Sequence, residues 1–277
     1  MVTSAVVRGT AGGRGQVERF VDSLQAGGRY TFSAGELKGY ISLSSAGMRA
    51  ALDRLQAGQR IVRPLRKSGF FVIVPPEFRT IGAPPLTWYL DGLMRFMEVP
   101  DYYVGLLTAA EWHGASHYAV QETQVVVSRQ LRPVSIGRER IRFVRNAAAA
   151  KVPVEEKLVE GGRIPLSTPE ATAYDLVRYA RVSGGPSMVA TAVAELRLRP
   201  GNLDAVLDAG GESPVVQRLG YFLELGGHEA AARAVERWLA RRRRVRVSAL
   251  VPSAPVRGAE LSGRWKLLVN ADVQAAA

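Results

Sequence analysis

Few residues in this chain have the types and spacing that enzyme chemistry requires. His113 and His117 stand four apart with Glu111 close by, which could put two imidazoles on one helix face for a metal ion. Gly114 falls between them and interrupts that helix, and a third ligand is wanting, so no metal is expected. Asp101 with Glu122-Thr123-Gln124 imitates a nuclease core, in which an Asp and a Glu-x-Lys strand hold magnesium. Glutamine stands where the charge-stabilising lysine is wanted. A magnesium-dependent, nuclease-like enzyme is therefore the alternative reading, not the main one. There is no Gly-x-Ser-x-Gly elbow and no phosphate-binding loop. The chain has no cysteine, which excludes disulfides and thiolate metal sites. Glu155 and Glu156 sit in a charge-mixed strand and read as solvated, and His228 reads as a surface or capping residue. The expectation is a protein with no catalytic residue and no cofactor.

The chemistry that the chain does offer is that of a cation facing a polyanion. Its net charge is +12, which points to nucleic acid before membrane. Residues 1–79 hold twelve Lys/Arg against five acids, residues 80–150 seven against six, and residues 151–277 eighteen against fourteen. The excess thus concentrates at the amino end. There the stretch Ser33–Pro75 reads as helix, turn, helix and a basic two-stranded hairpin, a winged helix-turn-helix. Ser33 and Glu36 have capping-box spacing for a first short helix. Ser44 fits the N-cap of the second, with Leu43 and Met48 spaced as a hydrophobic staple. Met48, Ala51, Leu52 and Leu55 recur on one apolar face, and Gly58 is expected to supply a left-handed stop. Only the N-terminal residues of such a helix reach base edges, which nominates Ser44, Ser45, Met48 and Arg49. The hairpin 60–74 has its tip at Lys67-Ser68-Gly69, where Arg66 and Lys67 would meet phosphates. The competing reading is a small helical domain whose hairpin binds protein.

The elements that surround this reader follow from periodicity and punctuation. Residues 1–14 are small, Gly-rich and basic, and read as an arm. Val17, Phe20, Val21 and Leu24 make a helix that closes at Gly27-Gly28. After Pro84-Pro85, Leu86, Leu90, Leu93, Met94 and Met97 make an amphipathic helix that Pro100 ends. Residues 102–114, YYVGLLTAAEWHG, read as helix with Gly114 as the stop. Strands are expected at 124–128, 134–136 and 140–144. In the last of these Ile141 and Phe143 share one face, while Arg140 and Arg142 take the other. With Arg138 and Arg145 they form a basic strip, which is either a solvated strand face or a second nucleic-acid contact. Two strands follow Val152, and Thr168-Pro169 opens a helix to Arg181. Further helices are expected at 186–196, 203–207, from Ser213 to Gly226-Gly227, and at 228–243. Arg241–Arg244 suit the negative end of the last helix dipole, or a nucleic acid. Residues 265–269 read as a closing strand.

Several of these segments together resemble the AbiEi antitoxin family. They are TPEATAYDLVRY (168–179), GGPSMVATAVAEL (184–196), SPVVQRLGYFLELGG (213–227) and RWKLLVN (264–270). The stretch 102–114, with the strands at 124–128 and 141–144, resembles the family's middle portion. The resemblance covers nearly the whole chain from about residue 15. It implies a non-enzymatic antitoxin of a type IV toxin–antitoxin system, encoded beside a nucleotidyltransferase toxin and contributing to phage resistance. It also implies an N-terminal repressor domain that binds inverted repeats in its own operator, and toxin neutralisation without a stable complex. Carried over by position, the DNA-reading residues are Ser44, Ser45 and Arg49, with Arg66 and Lys67 on the wing. Arg138, Arg140 and Arg142 are candidates by charge alone. Gln217-Arg218 and Asp175-Arg178 either join helices in a polar network or, with Tyr221, form a surface that neutralises the toxin. Family members also occur without an obvious toxin gene, so a stand-alone winged-helix regulator remains an alternative.

The expected architecture is α/β (α+β). A winged helix-turn-helix domain spans 1–79. A mixed α/β antitoxin domain spans 80–277, with a subdivision near 150 and a helical second half. No apolar run approaches membrane-spanning length and no signal-peptide core begins the chain, so the cytoplasm is the expected location.

Overall fold

The computed structural model of the chain describes residues 15–65, 68–115 and 121–274, in two compact units. The first takes in the chain up to Glu98, together with 134–139 and 158–162. Its elements are α1 (Gln16–Ala26), β1 (Thr31–Ser33), α2 (Ala34–Tyr40), α3 (Ser45–Ala57), β2 (Ile61–Val62), β3 (Phe70–Ile73) and α4 (Leu90–Phe96). The three strands form one antiparallel sheet in the order β1-β3-β2. α1, α2 and α3 bury Val17, Phe20, Leu37, Leu52 and Leu55 against Phe32 and Phe71 of that sheet. Phe32 stacks on Phe71 with centroids 5.1 Å apart and meets Phe20 edge-on at 5.4 Å. Gly92 lets α4 approach Thr31 of β1 where a Cβ would collide.

Both capping expectations hold. The Ser33 hydroxyl accepts from Glu36 N at 3.0 Å, and the Ser44 hydroxyl accepts from Gly47 N at 3.1 Å. The stop of α3 differs from the expectation. Gly58 has φ −79°, and the left-handed residue is Gln59, at φ 53°. Arg60 N donates to Leu55 O and Gln59 N to Gln56 O, which makes a Schellman motif one residue later than the glycine. The left-handed position belongs to the residue after the last helical turn, and here glycine sits one place too early. The hairpin is also shorter than expected. Gly69 is not a free tip: its carbonyl accepts from Ala34 N at 2.6 Å, and its Cα faces the Ala34 methyl. Residues 66–67 lie outside the described residues.

The second unit comprises 99–133, 140–157 and 163–277. The chain continues through β4 (Tyr102–Val104), α5 (Leu106–Trp112), β5 (Thr123–Val127), β6 (Val134–Ile136), β7 (Glu139–Arg145), β8 (Val154–Val159) and β9 (Gly162–Ser167). Then come α6 (Pro169–Arg178), α7 (Pro186–Glu195), α8 (Leu203–Gly210), α9 (Ser213–Leu225) and α10 (Glu229–Ala240). Three short strands close the chain: β10 (Ser248–Ala249), β11 (Glu260–Ser262) and β12 (Leu267–Val269). Through the middle of the unit the sheet runs β7-β5-β4-β9. β4 and β5 are antiparallel, with Tyr103 opposite Val126. β5 runs parallel to β7 with Val125 opposite Phe143, and β4 parallel to β9 with Val104 opposite Leu166.

The first three residues of the 102–114 segment are therefore a central strand, not part of a helix. An apolar run buried on both faces cannot be told from a helix by periodicity. The helix proper starts after Gly105 and stops at Gly114 as expected, with φ 76°. α6 ends at Arg178, three residues short of the expected end, and α10 ends at Ala240, so Arg241–Arg244 lie just past the helix. Thr168 caps α6 by accepting from Ala171 N, with Pro169 in the first turn. β10, β12 and β11 form a small separate sheet, of which only β12 was expected.

One large core joins α5 to α10 with the sheets, through Leu176, Val193, Leu219, Phe222, Trp238 and Trp265. Gly220 sits where α9 meets Trp265, and a Cβ there would lie inside the indole ring's contact distance. That explains the glycine in QRLGYFLE as a packing requirement. Among the described residues no helix is long and apolar enough to cross a membrane.

Candidate nucleic-acid interface

α3 presents its N-terminal residues to solvent because its other side is spent on the core. Ala51, Leu52 and Leu55 are buried, whereas Ser44, Ser45 and Arg49 are exposed. The Ser44 hydroxyl already accepts from the helix, so Ser45 and Arg49 are the uncommitted polar side chains here. Arg49 makes no ion pair among the described residues. Met48 differs from the other nominees. It is half-buried and packs against the core beside Leu43, as the staple spacing requires. Two arginines that flank the hairpin are engaged: Arg60 pairs with Asp22, and the Arg63 guanidinium lies 4.9 Å from the Phe71 ring centre. Arg66 and Lys67 lie outside the described residues.

Arg138 is exposed. The rest of the expected basic strip is partly neutralised. Glu122 takes Arg140 at 2.9 Å and Arg142 at 2.5 Å, so one carboxylate holds two guanidiniums and leaves one positive charge uncompensated. This also accounts for Glu122 of the trio that imitated a nuclease core. Glu122 is occupied by these arginines. Gln124 is buried, accepts from Leu107 N at 2.8 Å and donates to Val182 O at 3.2 Å, which ties the start of α5 to the chain beyond α6. His113 is similarly engaged: its Nε2 donates to Ser167 O at 2.8 Å. His117 lies outside the described residues. His228 contacts the carbonyls of Val193 and Ala194 at 2.9 and 3.0 Å, closing the end of α7.

In the second unit the long motifs turn inward. Gln217 is fully buried, and its Nε2 faces the carbonyls of Arg246, Trp265 and Lys266 at 2.8–2.9 Å. Its Oε1 accepts from the Ser248 hydroxyl at 3.0 Å. Arg218 Nε donates to Ala249 O at 2.9 Å. These two residues fasten α9 to the small sheet. Tyr221 is half-buried and meets Phe222 edge-on.

Asp175 is buried and accepts from the Tyr103 hydroxyl at 2.6 Å. Burial pushes its carboxyl up to about 7, against the opposing pull of Tyr103 and Arg178. The same burial and the adjacent carboxylate push the Tyr103 phenol up. Arg178 pairs with Glu212 at 2.6 Å. Tyr174 donates to Gly210 O and accepts from Glu212 N, and Tyr179 donates to Arg145 O at 2.9 Å, so both do more than pack. Buried Glu170 accepts from Arg199 N at 2.6 Å. Tyr103, Glu170 and Glu212 escaped the sequence reading, because their partners stand tens of residues away and leave no local pattern.

Residues 103–225 match the family model described as AbiEi antitoxin C-terminal domain. The matched span begins in β4 and ends with α9, so it encloses both inward-turned motifs. No curated protein matches the chain. Among solved structures, that of the RV2827C protein from Mycobacterium tuberculosis is similar in fold, with a TM-score of 0.64 at 16% identity over 91% of this chain and 90% of that one.

Proposed function

We propose that this chain, whose residues 103–225 match the AbiEi antitoxin C-terminal domain model, is an antitoxin of the type IV toxin–antitoxin class that also represses its own operon by reading DNA through α3. In this proposal α3 enters the major groove of an operator with inverted repeats. Ser45 and Arg49 reach base edges, and the hairpin residues Arg66 and Lys67 grip phosphates. The single observation that carries it is the division of α3 into a buried face and an exposed N-terminal end bearing an arginine with no ion pair among the described residues. The surplus of cations in residues 1–79 supports the same reading. Arg138, Arg140 and Arg142 are secondary phosphate contacts, weakened where Glu122 competes for the last two. The toxin countered is a nucleotidyltransferase encoded beside this gene, and neutralisation proceeds without a lasting complex.

The DNA half is tested by fluorescence anisotropy with the gene's own upstream duplex and a scrambled duplex across a salt series. Preferential binding that weakens steeply with salt is expected, because each neutralised phosphate releases counterions. Equal affinity for both duplexes overturns operator recognition. The antitoxin half is tested by co-expression with the neighbouring open reading frame. Rescue of growth by the intact chain, and also by a chain carrying Arg49→Ala, is expected. Failure of the intact chain to rescue removes the assigned toxin.

A further inference from the structure

We propose that a cleft between the end of α6, the 179–186 turn, α9 and the 250–253 segment binds an organic acid with an apolar body, its acid group seated against Arg218. The cleft has a volume of about 460 Å³, within the range that small-molecule sites occupy. It lies where the motifs 168–179 and 213–227 converge. The proposal rests neither on the DNA reading nor on toxin neutralisation.

Three features fix the ligand's chemistry. The walls are mostly apolar, with Val177, Ala180, Phe222, Leu250 and Val251 among the lining residues. The charged groups are cationic: Arg178 and Arg218 line the cleft, and exposed Arg181 joins them. Of these, Arg178 is already paired with Glu212. Arg218 is different. It is half-buried and its Nε is bound to Ala249 O, while its terminal nitrogens have no carboxylate partner among the described residues. Burial pushes its pKa down, against the opposing pull of the Glu212 carboxylate. An incoming carboxylate or sulfonate offsets that cost with a charge-assisted, forked contact.

The same lining argues against two other ligands. A bare inorganic anion would leave the apolar walls facing water. A nucleotide would need partners for its base edges and sugar hydroxyls. The Tyr179 hydroxyl is already given to Arg145 O, which leaves Ser253 as the uncommitted side-chain hydroxyl among the described lining residues.

The test uses the full chain with anilinonaphthalene sulfonate as fluorescent probe and decanoate, decanol and inorganic phosphate as competitors. One saturable probe site is expected. Decanoate should displace the probe about tenfold better than decanol, the worth of one hydrogen-bonded charge, and phosphate should not displace it. Arg218→Gln should erase decanoate's advantage over decanol. Ala180→Phe should fill the cleft and remove probe binding, with circular dichroism and the melting midpoint unchanged. If Arg218→Gln unfolds the chain, the decanoate-to-decanol ratio in the unaltered protein and the Ala180→Phe variant still decide the matter. Absence of a saturable site, equal competition by decanoate and decanol, or probe binding that survives Ala180→Phe would each overturn the proposal.

Discussion

The start of α3 and the middle of α9 both carry polar residues on helices with one apolar face, yet they use them in opposite ways. On α3, Ser45 and Arg49 are exposed, and Arg49 has no ion pair among the described residues. On α9, Gln217 and Arg218 are bonded to the carbonyls of the small sheet. The longer and more recognisable motif is thus mainly a fastening of the fold, and the plainer stretch is the one left free to meet a partner. A polar residue within a specific motif is not thereby a surface residue. What decides is whether its hydrogen bonds are already made inside the chain.

The comparison breaks most directly at Gln217. Replacing it with Leu removes the buried amide that serves three carbonyls and the Ser248 hydroxyl and leaves those groups unsatisfied, at a cost of about 3–5 kcal/mol. Urea unfolding should show the midpoint collapse, and a near-wild-type midpoint would mean that the α9 motif is free after all. Asp175 gives the next largest effect. Its folded pKa of about 7 lies above the unfolded value, so the native chain holds a proton that the unfolded chain has released. Stability from this group is therefore full below about pH 4 and falls as pH rises towards 7, by at most about 1.4 kcal/mol per unit. Asp175→Asn should flatten melting temperature against pH across that window, and an unchanged slope would assign the titration elsewhere.

Arg49→Ala sharpens the other side. It should weaken operator binding by about 1–3 kcal/mol if it contacts a base, and shift unfolding by less than about 0.5 kcal/mol. Lys67→Ala should weaken all duplexes alike. If both substitutions scale operator and scrambled DNA equally, α3 is not the reading helix. The smallest effect concerns the end of α3. Gln59 occupies a left-handed conformation that suits glycine, and Gln59→Gly should stabilise the chain by about 0.5–1 kcal/mol without altering DNA affinity.

Much of the local architecture was legible in the residues. The caps at Ser33, Ser44 and Thr168 stand where their spacing puts them, and the buried face of α10 is Ala231, Val235, Trp238 and Leu239 as the period requires. The errors share a cause. Tyr102–Val104 is a strand because neighbouring strands cover it, and β10 and β11 exist because β12 pairs with both. Neither fact is written in the residues themselves. The candidate site was half legible: the exposed end of α3 follows from its period. Met48's half-burial also follows from its period and staple spacing, but the engagement of Arg140 and Arg142 depended on Glu122.

By itself the amino-acid sequence determined where helices begin, which faces are apolar, where positive charge gathers and which family the second half resembles. Those signals act between residues a few positions apart, or sum over the chain. Only the tertiary structure decided which polar side chains are already bonded and which remain free. It brought Tyr103 to Asp175, Glu212 to Arg178 and Trp265 to Gly220, and it left Arg218 half-buried with no ion pair among the described residues. Hydrogen bonds and ion pairs form between whichever groups folding brings within about 3 Å, and separation along the chain does not record that distance.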